Sequence, residues 1–513
     1  MSSISTNNRR IAKNTLLLYV RMLFLMLVNL YTSRVILRIL GVDDYGIYNA
    51  VGGIVLMLSF LNSALSNGSS RFITYELGKK DSSCLNIIFC TILNAHLLLA
   101  IIVVLIAETV GLWFVTNKLG LAADRLNAAL LAYHFSVLTS VATITQVPYT
   151  ATIIAHERMQ IYAYASIFEV VLKLLILYLL PILGHDRLET YAVLLFIVQI
   201  IIISIYRVYS IRKFSETKYK FIFNKKKFQE ITSFSSWSLL GNAAHALTGQ
   251  GTNILLQMFF GPKLVAARAI SLQVNMAANQ FVNNFKLAAD PQIVKYYAAG
   301  DVGTSKRLTL NTAKFSFFLM LFLCLPIYVV ADPLLKLWLV IVPPYTLIFL
   351  KLIILQSLFS VFDTCFYSGL YACGRVKENA LISPFILSLQ FPVIYIAFKL
   401  GGSPVFLSYA GIMATLILAI IVKPLLLVKL AGYNWDDIKT VFIPCCKTAI
   451  AAFIPSLFVA HFLSKDYWQY AVLLVIVMAI VIFCILYIGI RGDQRIEILN
   501  LIKNVSSQKL AHN

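Results

Sequence analysis

Charge is scarce in this 513-residue sequence: only 13% of its residues are Asp, Glu, Lys or Arg, about half the share in an ordinary soluble domain. Together with a mean hydropathy of +0.82, that shortage excludes a water-soluble globular chain and indicates an integral membrane protein. Carboxylates are scarcer still, 22 against 43 Lys and Arg. In a soluble protein such an excess would suggest nucleic acid. Here the basic residues crowd alternate loops, as membrane insertion requires, and no loop holds the basic and aromatic module that single strands need. No nucleic-acid partner is expected. The eight cysteines form no CxxC pair and have no histidine near enough in sequence for zinc, so they read as small core hydrophobes. No Walker motif, nucleophile elbow, HExxH or paired-carboxylate constellation is present, which leaves ATP hydrolysis and the familiar hydrolytic chemistries without support. A cleavable signal peptide is not expected either. "MSSISTNNRRIAKNTLLLYV" feeds an apolar run far longer than an h-region of about 7–15 residues.

What is abundant is long apolar runs. About fourteen of them, each near 20 residues and bounded by charge, Gly or Pro, predict transmembrane helices at 14–40, 46–68, 85–115, 126–150, 160–183, 188–210, 231–260, 264–289, 309–331, 345–372, 380–400, 404–430, 440–463 and 467–490. The fold expected is an all-α membrane protein. With a cytoplasmic amino terminus, about 27 basic residues fall on inner loops and about 10 on outer ones, which favours an even number of spans and both termini inside. The longest polar connection, "YRVYSIRKFSETKYKFIFNKKKFQE", divides the chain between the sixth and seventh runs. The lobes expected are 1–213 (spans 1–6) and 214–430 (spans 7–12), followed by 431–513 with two further spans and a cytoplasmic tail.

The division prompts a search for a repeat. An offset of 220 residues lays Gly41 of "RILGVDDYG" on Gly261 of "MFFGPKLVA", Asp81 on Asp301 and Thr32 on Thr252, with no gap between.

The polar residues within the runs are arranged in stripes. In "NMAANQFVNNFKLAAD", Asn275, Asn279, Asn283, Lys286 and Asp290 fall within about 80° of one another at 100° per residue. Asn14, Arg21, Asn29 and Thr32 do the same in span one, and Ser238, Asn242, His245, Gly249, Thr252 and Asn253 form a stripe about 100° wide in span seven. Span two offers Ser59, Ser63 and Ser66 at the positions that match the first stripe. Unpaired polar groups are costly in hydrocarbon, so these faces must look onto partners or water. One reading is the wall of a hydrated cleft; the other is interhelical hydrogen bonding. Among the charges, Arg21, Arg71 and Lys286 are candidate receivers of an anionic head group, with snorkelling the alternative for Arg21 and a Lys286–Asp290 pair the alternative for Lys286. Lys173, Lys314, Lys351, Glu108 and Glu169 lack stripe companions and read as snorkelling groups or local pairs. His245 and Asp290 are candidate sites for a coupling ion, H+ or Na+; no other cofactor and no metal is implied. Positive groups outnumber carboxylates on the expected lining, which suits a phosphate or carboxylate substrate.

"RVILRILGVDDYGIYNAVGGIVLMLSFLNSALSNGSSRFITYELGKKD" (34–81) and "VPYTATIIAHERMQIYAY" (147–164) closely resemble the bacterial polysaccharide flippases, the O-antigen and capsule exporters related to the MATE drug transporters. The resemblance implies a V-shaped pair of six-helix bundles plus two trailing helices in the bacterial inner membrane, working by alternating access. It implies a lipid-linked oligosaccharide on undecaprenyl diphosphate as substrate, for lipopolysaccharide or capsule, with membrane lipids around it and a polysaccharide polymerase or glycosyltransferases as partners. Arg21 and Lys286 are the nearest equivalents of the cationic cavity residues of those proteins. The carboxylate that MATE drug pumps carry in span one is absent, which disfavours a MATE-like exporter of small amphipathic compounds. A membrane-embedded sugar-lipid enzyme, polymerase or acyltransferase, is the more distant alternative, since no outer loop reaches about 20 residues.

Overall fold

A computed structural model describes residues 2–79, 82–156, 158–183, 186–222, 224–463 and 467–490. Side chains at 2–23 and at scattered later positions, among them Arg71, 234–241 and His245, lie outside the described residues. With hydrocarbon around it the backbone must satisfy its own hydrogen bonds, and the described chain is helical almost throughout, with no strand among the described residues. The helices are α1 (Ser2–Met57), α2 (Ser59–Lys79), α3 (Ser82–Ile106), α4 (Leu112–Asn117), α5 (Leu126–Ala155), α6 (Met159–Leu179), α7 (Arg187–Lys213), α8 (Lys225–Ala246), α9 (Thr252–Phe260) and α10 (Pro262–Ala298). They continue as α11 (Val302–Val329), α12 (Ala331–Trp338), α13 (Thr346–Ala372), α14 (Val376–Lys399), α15 (Phe406–Leu416), α16 (Lys423–Ala431), α17 (Trp435–Phe462) and α18 (Tyr467–Cys484). π-helical turns at Ala107–Gly111, Leu247–Gly251 and Ile417–Val422 join α3 to α4, α8 to α9 and α15 to α16 into single rods.

Each apolar run of the sequence falls on helix to within a few residues. Among the described residues, nine helical rods are long and apolar enough to cross a membrane; α10, which carries the amide stripe, is not one of them. The chain forms two compact units. The first comprises the described residues of Met1–Ile270, with Leu339–Thr346 and Ala380–Leu407; the second comprises Ser271–Trp338, Leu347–Asn379 and the described residues from Ser408 on. In the first unit, Leu65, Ile73, Leu85, Ile88, Ile92, Ala151 and Ile231 form one buried cluster that locks α2, α3, α5 and α8 together. The second unit is centred on rings, with Phe362 stacked on Phe317 at 5.1 Å and tilted against Phe442 at 4.6 Å. None of the eight cysteines forms a disulfide, and five of them are buried.

The repeat offset has a direct backbone counterpart. Gly41 breaks α1 at φ 79°, ψ 174°, and Gly261 separates α9 from α10 at φ 81°, ψ −178°. These paired glycines share a conformation that is essentially closed to other residues. A Cβ at either would meet nothing within 4 Å, so the requirement is conformational rather than steric. Gly41→Ala and Gly261→Ala are each expected to cost about 1–3 kcal/mol, read as similar losses in thermal stability of the detergent-solubilised protein. A large loss at one and none at the other would break the equivalence.

Candidate functional site

Among the buried charges of the described residues, one group in each unit stands beside a π-helical turn. In the second unit, α16 begins at Lys423 directly after the Ile417–Val422 turn. Pro424 has no amide hydrogen to continue the α-helical ladder, and the widened turn re-aims the chain there. The Lys423 ammonium is 3% exposed and lies 3.2 Å from Asp363 of α13. It also donates to Asn379 Oδ1 of α14 and sits over the Tyr367 ring at 5.2 Å. Lys286 and Asp290 share the neighbourhood: the Lys286 charge acts on Lys423, and both residues act on Cys365. Their own separation is long, 3.9 Å, at side-chain exposures of 17% and 36%. The group therefore holds two ammonium and two carboxylate charges. An extended pair in a partly wet setting leaves Lys286 the more available cation.

The amides of the α10 stripe are partly engaged. Asn279 Nδ2 donates to Asn275 Oδ1 at 3.0 Å, and Ser357 of α13 donates to the same oxygen. That is an interhelical contact of the kind the bonding reading anticipates. Asn283 is exposed.

In the first unit the charge is Arg268 of α10. Its residue is 8% exposed, and its guanidinium donates to Thr252 Oγ1 and, at 2.8 Å, to Asn253 Oδ1. Both acceptors stand at the start of α9, just past the Leu247–Gly251 turn. No carboxylate pairs with Arg268 among the described residues, and its Nε has no partner. A buried cation held only by neutral groups has spare capacity for an anion.

The other expected positions are distributed as follows. Asn14, Arg21, Arg71 and His245 have side chains outside the described residues. Asn29 and Ser63 are exposed, and Thr32, Ser59 and Asn242 are half-buried. Lys173 pairs locally with Glu169 at 2.5 Å, one of the two readings for charges without stripe companions; Glu108 instead meets His134, 26 residues on, at 3.1 Å. Arg268, Lys423 and Asp363 were not singled out by the sequence. The signal that would have found Arg268 is an arginine inside an apolar run with no acid within a helical turn.

A further group fastens the loop ends of the first unit. The Arg125 guanidinium bridges Asp44 (2.9 and 2.6 Å) and Asp186 (2.5 and 3.3 Å), and Asp186 also caps α7 through the Leu188 and Glu189 amides. Burial raises the Asp44 carboxyl above the usual 3.8 despite Arg125. Burial pulls Asp186 the same way, but the Arg125 hydrogen bond and the Glu189 amide outweigh it and hold this carboxyl below 3.8. A depressed folded value adds stability that is present above 3.8 and lost as pH falls through the lower folded value; the raised Asp44 contributes with the opposite sign. Asp186→Asn is expected to cost about 1–2 kcal/mol near neutral pH. Its deficit against the parent should narrow as unfolding is followed from about pH 7 towards pH 3; an equal deficit throughout would exclude the ionic contribution.

Residues 11–296 match the family described as polysaccharide biosynthesis protein. No curated protein matches the sequence. Among solved structures the chain is similar to the lipid II flippase MurJ in an inward-closed conformation, at 13% identity and TM-score 0.69 over 91% of this chain and 98% of that one. An inward-facing multidrug-resistance MATE transporter of the MOP superfamily matches at 14% and 0.68, over 80% and 96%. A MOP-superfamily transporter from Pyrococcus furiosus, described as having a binding pocket of reversed polarity, matches at 15% and 0.58, over 82% and 97%. At these identities the likeness establishes a shared fold.

Proposed function

This chain belongs to the polysaccharide biosynthesis protein family, and on that premise we propose that it translocates undecaprenyl-diphosphate-linked oligosaccharide repeat units from the cytoplasmic to the periplasmic leaflet of the bacterial inner membrane, for surface polysaccharide. The observation that carries the reading is Arg268, a buried guanidinium whose partners among the described residues are neutral. Such a group attracts a diphosphate and repels the organic cations that a drug exporter would carry. Within the second unit the candidate receiver is Lys286, loosely held by Asp290; Arg21 and Arg71 are candidate cationic contacts in the first. Asn14, Asn29, Thr32, Ser59, Ser63, Asn242, Asn275, Asn279 and Asn283 supply exchangeable hydrogen bonds for sugar hydroxyls. The polyprenyl tail stays in lipid. Transport proceeds by alternating access, and its direction comes from consumption of the product outside or from a coupling ion at His245 or Asp290, because a substrate shifts a conformational equilibrium only by its differential affinity for the two states.

The test is movement of a fluorescent lipid-linked oligosaccharide in proteoliposomes. Losing a charge-assisted contact to phosphate costs about 1.5–3 kcal/mol, so Lys286→Ala is expected to slow transfer by about tenfold or more. Lys173→Ala, whose ammonium is spent on Glu169, should stay within about twofold, since a local i,i+4 pair is worth only a few tenths of a kcal/mol. Parent-rate transfer by Lys286→Ala, or an equal loss at Lys173, would overturn the assignment. Faster export of an organic cation than of the lipid-linked sugar would favour the drug-exporter reading instead.

A further inference from the structure

The connection between α7 and α8 is fastened to α3 by its backbone. Asn86 donates to the Glu216 and Lys218 carbonyls at 2.7 and 2.9 Å. One turn on, the Lys220 amide donates to Cys90 Sγ at 3.3 Å. Two turns on, Asn94 donates to the Ile222 carbonyl at 3.0 Å and accepts from the Tyr219 hydroxyl at 2.9 Å. The Asn224 amide then turns back to Thr91 Oγ1. Eight helical residues from Asn86 to Asn94 rise about 12 Å, and the segment follows them from Lys218 to Ile222, where the Ile222 amide closes a tight turn on the Lys220 carbonyl at 2.7 Å. The segment thus runs about 12 Å along α3 toward its apolar middle and returns.

Its side chains are sorted. The one carboxylate of the segment, Glu216, is buried against His156 at 2.6 Å, with the Phe214 ring stacked on that imidazole at 4.1 Å. Lys218 and Lys220 are exposed, Tyr219 is 45% exposed, and Phe221, near the far end of the run, is 91% exposed. The end of α7 adds a groove of about 580 Å³ lined by Ser204, Ile205, Val208, Tyr209, Arg212 and Lys213. Tyr209 packs edge-on against Phe214, so groove and segment adjoin. Arg212, Lys213, Lys218 and Lys220 have no carboxylate partner among the described residues.

We propose that this segment and the adjoining end of α7 form a docking surface for anionic phospholipid of the cytoplasmic leaflet. The acyl chains lie against Ile205, Val208 and Phe221, and the phosphate is held by Arg212, Lys213, Lys218 and Lys220. Charge complementarity selects the occupant: Arg212 and Lys213 line an apolar groove, and the exposed Lys218 and Lys220 stand on the segment that adjoins it, on the side that the basic loops mark as cytoplasmic. An aromatic ring left almost wholly uncovered on a rigid support is an interfacial anchor. The surface is separate from the residues assigned to the transported substrate.

The test uses the purified full-length protein. In native mass spectrometry with equal phosphatidylglycerol and phosphatidylcholine of identical chains, the parent should retain the anionic lipid several-fold over the zwitterionic one. Each basic group near an anionic surface is worth about fivefold, so the Arg212→Ala/Lys213→Ala/Lys218→Ala/Lys220→Ala variant should lose that preference while unfolding at the parent temperature. In liposomes, the fluorescence added by Phe221→Trp should be quenched by brominated acyl chains and little by acrylamide. No preference in the parent, a preference unchanged in the variant, quenching of the new tryptophan from water alone, or displacement of the lipid by inorganic pyrophosphate would each overturn the proposal. None of these readouts depends on transport, so they stand or fall apart from the flippase assignment.

Discussion

Lys423→Ala is expected to destabilise the second unit by about 3–5 kcal/mol, because removing one partner of a buried pair strands the other charge. The stranded group is Asp363, whose side chain is 28% exposed beside an ammonium only 3% exposed. Asn379 Oδ1, which accepts from Lys423, would lose its partner as well. The double replacement Lys423→Met/Asp363→Leu should recover most of the loss, since well-packed apolar residues of similar volume often replace a buried pair at little cost. Chemical unfolding in detergent, followed on the parent, both single variants and the double variant, gives the coupling energy from the cycle. Additive losses, with no recovery in the double variant, would mean that each residue acts through separate neighbours and that the ion pair contributes nothing.

The same cluster shows how far the sequence could be read. Helix positions were legible because apolar run length and bounding charges are local signals, and the runs at 126–150 and 188–210 fall on Leu126–Ala155 and Arg187–Lys213. Gly41 and Gly261 were legible as a repeat because their shared backbone state restricts residue type at a fixed position. Lys173 and Glu169 were legible only as snorkelling groups or members of local pairs; four residues on a helix bring side chains together, and these two do pair. The pairing of Lys423 with Asp363 spans 60 positions and depends on how α13 meets α16, which no local pattern records. Counted by stripe alone, Asp290 was the single carboxylate on the lining; Asp363 balances the local charge, and in the other unit Arg268 is a buried cation with no carboxylate partner among the described residues. Helical angle likewise placed Asn275 and Asn279 on one face without telling what that face meets. Ser357 is what meets it, so part of the stripe binds helix to helix.

Arg268→Met is the substitution expected to separate function from folding. Retaining the buried guanidinium costs desolvation that Thr252 and Asn253, both neutral, offset only in part. Removing it leaves that hydroxyl and amide oxygen without their donor, a penalty of about 1–3 kcal/mol, while relieving the buried charge. The two effects oppose, and stability should change by no more than about 2 kcal/mol in either direction. Transfer of the lipid-linked oligosaccharide should instead fall by about 10- to 100-fold, the value of a charge-assisted phosphate contact. Arg268→Lys keeps the charge but not the fork that meets two phosphate oxygens at once, so it should recover only part of the rate. The pattern to look for is a parent-like unfolding curve with transport lost in Arg268→Met and partly restored in Arg268→Lys. A variant that unfolds easily yet transports at the parent rate would make Arg268 a structural residue, and the anion would have to be received elsewhere.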